Sequence, residues 1–186
     1  MALKLHERGC HILVITNKKS ELFKKIAGEP VEKQQIAVSG LSFLNIFKLI
    51  RVYRIFRKHR IKAVILGMTS DIKLAGLAAK LAGVEKIIYR RGMALPTKNS
   101  WLNRFYYRKI LTDIITNSLE IKQKILERNA WLVPEEKIRI IHNGVDINRF
   151  NPEIERPVFR EGKGMIYLGN AGRLVEQKGK KYLLDA

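Results

Sequence analysis

Short apolar runs of strand length, separated by stretches of helical period, constrain this chain more than any other feature. His11 to Thr16 carries Ile-Leu-Val-Ile at its centre, and Ala63 to Met68, Lys86 to Tyr89, Asp113 to Thr116 and Lys137 to Ile141 follow it. Ile36 to Val38 is a further short run. Met1 to Arg8 reads as the last turns of an amphipathic helix stopped by Gly9. Ser42 to His59 has helical period and sets Phe43, Ile46, Phe47, Ile50, Tyr53 and Phe56 on one broad face. Asp71 to Ala82 is a helix of small and apolar residues closed by Gly83, and Trp101 to Leu111 is another. Asn117 or Ser118 caps a helix running to about Asn129, with Glu120 placed for a capping box. Strands that alternate with helices join as parallel neighbours. The expected fold is therefore α/β, a Rossmann-like parallel sheet with helices on both faces.

In such sheets ligands sit beyond the carboxyl ends of the strands. The loops Gly67 to Asp71, Arg90-Arg91-Gly92, Asn117-Ser118 and Asn143-Gly144-Val145-Asp146 should then line one crevice. Arg90 and Arg91 either clamp an anion or pair with an internal carboxylate. Asn143, Gly144 and Asp146 are turn-forming types, and either shape the chain or face the cleft.

The end of the chain carries a separate signal. Met165 to Leu168 reads as a strand, and Gly169-Asn-Ala-Gly-Arg-Leu-Val-Glu-Gln-Lys-Gly179 as a glycine-bearing loop before a helix. Backbone N–H groups and a positive helix end would converge there, with Arg173 and Lys178 beside Gly172. The natural guest is a diphosphate; the alternative is two solvated surface charges. Asn151 to Gly164, rich in Pro and Gly, reads as a linker. The expected organisation is thus a domain over 1–150, a linker over 151–164 and the start of a second domain over 165–186.

The formal net charge of +19 calls for an anionic partner: nucleic acid, an acidic membrane or a phosphorylated substrate. Lys48 to Arg60 holds six Lys and Arg without a carboxylate, and Lys86 to Lys109 holds seven. In the first stretch the cations flank an apolar face, as in helices that lie on anionic lipid; the competing reading packs that face on the sheet. A nucleic-acid-binding module should carry zinc ligands, a helix-turn-helix or aromatics set among basic residues on paired strands, and none is present. A nicotinamide enzyme needs Gly-x-Gly-x-x-Gly between first strand and helix, a region that does not occur here. Cys10 is the single cysteine, and His6, His11, His59 and His142 lack partners at metal-ligand spacing, so no metal is expected. Met1 to Arg8 lacks the apolar core of a signal peptide, and no run approaches the roughly 20 apolar residues of a membrane span. A cytoplasmic setting, with peripheral contact to the inner face of a membrane, fits these features.

The order of motifs resembles a known family. Glu7-Arg-Gly-Cys-His-Ile-Leu-Val-Ile-Thr16, Thr116-Asn-Ser118, Ile141-His-Asn-Gly-Val-Asp146 with Phe150 and Pro152, and Gly172-Arg-Leu-Val-Glu-Gln-Lys-Gly179 are similar to the retaining GT-B glycosyltransferases of the family 4 / group 1 type. The resemblance implies two Rossmann-like domains, the first holding the acceptor and the second a nucleotide-sugar donor. It implies no cofactor beyond that co-substrate, and a lipid-linked or cell-surface acceptor. It places Arg173 and Lys178 on the donor diphosphate. Many relatives carry a His where Arg90-Arg91-Gly92 stands; an Arg stays protonated and cannot act as a base. The family's first domain opens with a strand and glycine-rich loop ahead of the helix that here ends at Arg8. The resemblance therefore implies a sheet whose first, central strand is missing between His11–Thr16 and Ala63–Met68. It also implies a chain that is inactive and poorly stable alone.

Overall fold

The computed structural model describes residues 1–17, 20–38, 42–93, 98–148, 169–172, 175–176 and 179–184. The chain divides into two compact units, Met1–Asn143 and Gly144–Ala186. The expected strand Met165 to Leu168, the linker over 151–164, Phe150, Arg173 and Lys178 lie outside the described residues.

The first unit is α/β. Helix α1 (Ala2–Glu7) leads to β1 (Leu13–Thr16), α2 (Glu21–Lys25) and β2 (Glu32–Gln35). A 3-10 turn (Ser42–Leu44) precedes α3 (Ile46–Lys58) and β3 (Ala63–Leu66). Helix α4 (Thr69–Asp71) continues through a π-helical turn (Ile72–Gly76) into α5 (Leu77–Leu81), followed by β4 (Lys86–Arg91). Helix α6 (Trp101–Phe105) runs into a second π-helical turn (Tyr106–Ile110) before β5 (Asp113–Thr116). Helix α7 (Leu119–Asn129) then leads to β6 (Ile138–Ile140). In the second unit, α8 (Lys180–Leu184) follows the glycine loop.

All the strand pairs are parallel. One sheet has the order β3-β4-β5-β6, and β1-β2 form a separate two-stranded sheet. Among the described residues no ladder joins β1 to β3. The first unit has the α/β, Rossmann-like arrangement that the alternating runs predict.

Strand alternation sorts the four-stranded sheet into two faces. Leu66, Ile87, Tyr89, Ile114 and Ile138 share one face and are buried. They pack in a single core with Leu49, Val52 and Phe56 of α3, Leu74 and Ala78 beyond α4, Ile110, and Ile125 of α7. On the other face Ile65 is 41% exposed, and Ile88 and Ile115 are half-buried.

Local signals set the helix limits. Ser20, Asn45, Ser100 and Ser118 each accept a hydrogen bond from the backbone N–H three residues on. Ser118 rather than Asn117 is therefore the cap of α7, and Glu120 pairs forward with Lys124 instead of back to the cap. After α5 the chain reverses at Gly83, whose φ of 75° suits a residue without Cβ. Arg60 makes the same turn after α3 with φ 47°.

The structure corrects two expectations about elements. The second strand is Glu32–Gln35, not Ile36 to Val38. It is an edge strand, where pairing with β1 rather than apolar content decides the ladder, and polar side chains suit an open edge. Ile36 only closes that ladder, its N–H donating to the Thr16 carbonyl at 3.1 Å. The buried face of α3 is Leu49, Val52 and Phe56, so Ile46, Phe47 and Ile50 point outward. Apolar residues almost encircle this helix, and its period alone does not choose which side meets the sheet.

Candidate functional site

Arg90 and Arg91 are the last two residues of β4, not the loop after it. Alternation sends them to opposite faces. Arg91 follows Ile87 and Tyr89 into the core side and is only 6% exposed, its Nε donating to the Met93 carbonyl at 3.3 Å. Arg90 is exposed, and its Nη2 donates to Asn143 Oδ1 at 2.9 Å. This bond ties the carboxyl end of β4 to the chain leaving β6. Beside it, His142 Nδ1 lies 3.1 Å from the Asn117 carbonyl. A carbonyl can only accept, so His142 Nδ1 is the donor in this bond. Arg90, Asn117, His142 and Asn143 thus bring the ends of β4, β5 and β6 into one polar cluster.

A second layer lies on the core side. Tyr89 and Tyr107 meet edge to face, with ring centroids 6.1 Å apart. Burial pushes the Tyr89 hydroxyl up to about 12; the Tyr107 and Asp71 charges act in the same sense and the Arg91 charge opposes them. Burial also raises the Asp71 carboxyl above its ordinary value, against hydrogen bonds from the Met68 and Gly67 backbone and from Ser70. The Met68 N–H donates to Asp71 Oδ2 at 2.9 Å. Among the described residues the buried Tyr107 hydroxyl and Asn117 Oδ1 have no hydrogen-bond partner. Chemically the cluster presents fixed guanidinium charge and neutral donors and acceptors, a set suited to holding an anionic, hydroxyl-bearing guest.

Among the described residues nothing lies within 4 Å of a Cβ placed at Gly92 or Gly144. Gly144 and Asp146 belong to the second unit. There Asp146 Oδ1 accepts the Asn148 N–H at 3.2 Å, a side-chain-to-backbone turn two residues long. Gly172 is described in the same unit, where its carbonyl accepts from Lys180 Nζ at 2.7 Å. Sequence reasoning missed Tyr107 beside the first unit's cluster and, separately, Lys180 beside Gly172 in the second unit. Lys180 follows the glycine loop in the sequence, one more cation after it; Tyr107 sits inside an apolar helix with nothing to mark its hydroxyl.

The basic stretch Lys86 to Lys109 does not form one surface. Lys86 lies 3.5 Å from Asp113 at the opposite, amino end of the sheet. Arg104 stacks over Trp131, Arg108 donates to the Trp131 carbonyl, and Arg91 is buried. Among the described residues no three His, Cys, Asp or Glu converge, and no helix is long and apolar enough to cross a membrane.

Comparison with known proteins agrees with this architecture. A glycosyltransferase from Rickettsia africae ESF-5 is similar at 22% identity, with a TM-score of 0.70 over 84% of this chain and 41% of its own. MurG from Acinetobacter baumannii is similar at 14% identity, with a TM-score of 0.54 over 80% of this chain and 41% of its own. HepE from Anabaena, solved in complex with UDP and glucose, has 15% identity and a TM-score of 0.57 over 76% of this chain and 39% of its own. These likenesses concern the fold, and the chain spans about two-fifths of the length of each. No curated protein matches the sequence. The sequence profile of Glycosyltransferase Family 4 matches residues 1–149, most of the chain and all of the first unit. The chain belongs to Glycosyltransferase Family 4.

Proposed function

We propose that this chain carries the acceptor-side domain of a retaining glycosyltransferase that moves a sugar from a nucleotide-sugar donor to an anionic or lipid-linked acceptor. The observation that supports this most is the polar cluster at the carboxyl ends of β4, β5 and β6, within a family-4 domain. Arg90 forms its acceptor wall, with Asn143 where the chain leaves β6. Arg173 and Lys178, on the loop with Gly172, hold the donor diphosphate; the UDP bound by HepE is in keeping with such a donor. No resident cofactor is required, and the enzyme works at the cytoplasmic face of an anionic membrane.

The test is calorimetry with UDP-sugars and other nucleotide sugars, coupled to a transfer assay on lipid-linked acceptors, using the whole polypeptide in which this segment occurs. Arg173→Ala or Lys178→Ala should weaken donor binding about tenfold or more, the loss of one charge-assisted hydrogen bond. Arg90→Ala should leave donor binding intact and raise the KM for acceptor. Unchanged donor affinity in both loop variants would remove the diphosphate assignment. Transfer that ignores Arg90 would remove the acceptor assignment.

A further inference from the structure

The orientation of α3 leaves an unusual strip on the surface. With Leu49, Val52 and Phe56 turned inward, the outer side carries Phe47, Ile50, Arg51, Arg54 and Lys58, which line one shallow groove of about 320 Å³ against Gln34 of β2. Phe47 is 80% exposed. Leu44 and Ile46, just before it, are exposed as well. Toward the other end of the strip the residues are cationic. Among the described residues Arg51, Arg54 and Lys58 make no side-chain hydrogen bond or ion pair, whereas Lys48, off the strip, is tied to the Ala37 carbonyl at 2.9 Å. No carboxylate occurs between Asn45 and Arg60.

We infer that this outer face of α3 is the surface by which the protein sits on an anionic lipid bilayer. The inference rests on the membrane contact proposed above and adds which surface makes it. Phe47, Ile50 and Leu44 enter the headgroup–acyl boundary, where apolar side chains leave water. Arg51, Arg54 and Lys58 stay at the phosphate level, their stems lying along the apolar layer. A nucleic-acid backbone would satisfy the cations but leave Phe47 and its neighbours in water, so the combination favours lipid. The face also stands clear of the Arg90–Asn143 cluster in sequence and composition, which leaves that cluster to the sugar acceptor.

Flotation of the chain with vesicles separates bound protein from aggregate. Wild type should float with phosphatidylglycerol-containing vesicles and not with pure phosphatidylcholine. Each of Arg51→Ala, Arg54→Ala and Lys58→Ala should lower partitioning about fivefold at low salt, and the triple variant roughly a hundredfold. That effect should shrink at high salt. Phe47→Ala should lower partitioning about tenfold at either salt, because it removes apolar burial. All four positions are exposed, so circular dichroism and melting should match wild type. If wild type fails to float, membrane contact and this surface both fall. If it floats and the α3 variants float equally well, or Lys25→Ala on α2 weakens it as much, the contact stands and the α3 surface is wrong. A dimer abolished by Phe47→Ala, without vesicle binding, would assign the face to a second copy.

Discussion

Arg90 and Asn143 stand 53 residues apart in sequence, and the Arg90 guanidinium donates a 2.9 Å hydrogen bond to the Asn143 side chain. The bond closes the carboxyl ends of β4 and β6 over β5, which lies between them in the sheet. Because it is exposed, it should add little to stability. Arg90→Ala and Asn143→Ala should each cost about 1 kcal/mol, with a coupling energy of about 0.5–1.5 kcal/mol in a double-mutant cycle read by urea melts. A coupling of zero would mean that the pair is not joined in solution.

Asp113 plays the matching part at the amino end of the sheet. Its carboxylate accepts from Arg139 Nε at 3.1 Å and lies 3.5 Å from Lys86 Nζ, so it links β4, β5 and β6. Burial alone would raise its pKa, but the hydrogen bonds from Arg139 and Thr112 and the Lys86 charge outweigh burial and hold it below the ordinary 3.8. A carboxyl lowered in the folded state stabilises fully above its unfolded value. That contribution is lost as pH falls below 3.8 toward the folded value. Asp113→Asn should cost about 1 kcal/mol at neutral pH, since the cationic partners are largely solvated. It should also flatten the fall in stability below pH 3.8. Wild-type and variant acid melts that stay parallel through that window would contradict the linkage.

The helix ends make opposite predictions. Gly83→Ala places a Cβ at φ 75° and should destabilise by about 1 kcal/mol. Arg60 already holds φ 47° with a side chain, so Arg60→Gly relieves strain of that order while adding freedom to the unfolded chain. Its net effect on the melting temperature should be near zero or upward. A clear loss of stability in Arg60→Gly would show that the Arg60 side chain contributes contacts of its own.

Native-state hydrogen exchange should divide the strands. β4 and β5 each have a neighbour on both sides and bury Ile87, Tyr89, Ile114 and Thr116. Among the described residues β1 pairs only with β2, and none of its residues is fully buried. An isolated strand pair is marginal in water. Amides of β1 and β2 should therefore exchange by local opening, well before those of β4 and β5. Equal protection in both sheets would indicate that β1 gains support beyond the β2 ladder.

Much of this protein was determined by its sequence alone. Runs such as Ala63 to Met68 and Asp113 to Thr116 are too short and too apolar for helices of their own, so once helices separate them they join as parallel strands and the α/β fold follows. Ser118 and Gly83 mark helix limits because capping and positive φ are local chemistry, decided within a few residues. The carboxyl ends of β4, β5 and β6 bring Arg90, Asn117 and Asn143 together, since parallel strands put those ends on one side.

Tertiary structure decided the rest. Period alone did not show that α3 presents Phe47 to the outside, because apolar residues lie almost all round it and only docking on the sheet selects a side. Nor did it separate Arg90 from Arg91. They look equivalent in sequence, yet extending β4 through both sends one into the core and the other to Asn143. The two hidden facts share a cause: periodicity reveals which residues lie on the same side of an element, whereas burial depends on which other elements, distant in sequence, come to cover it.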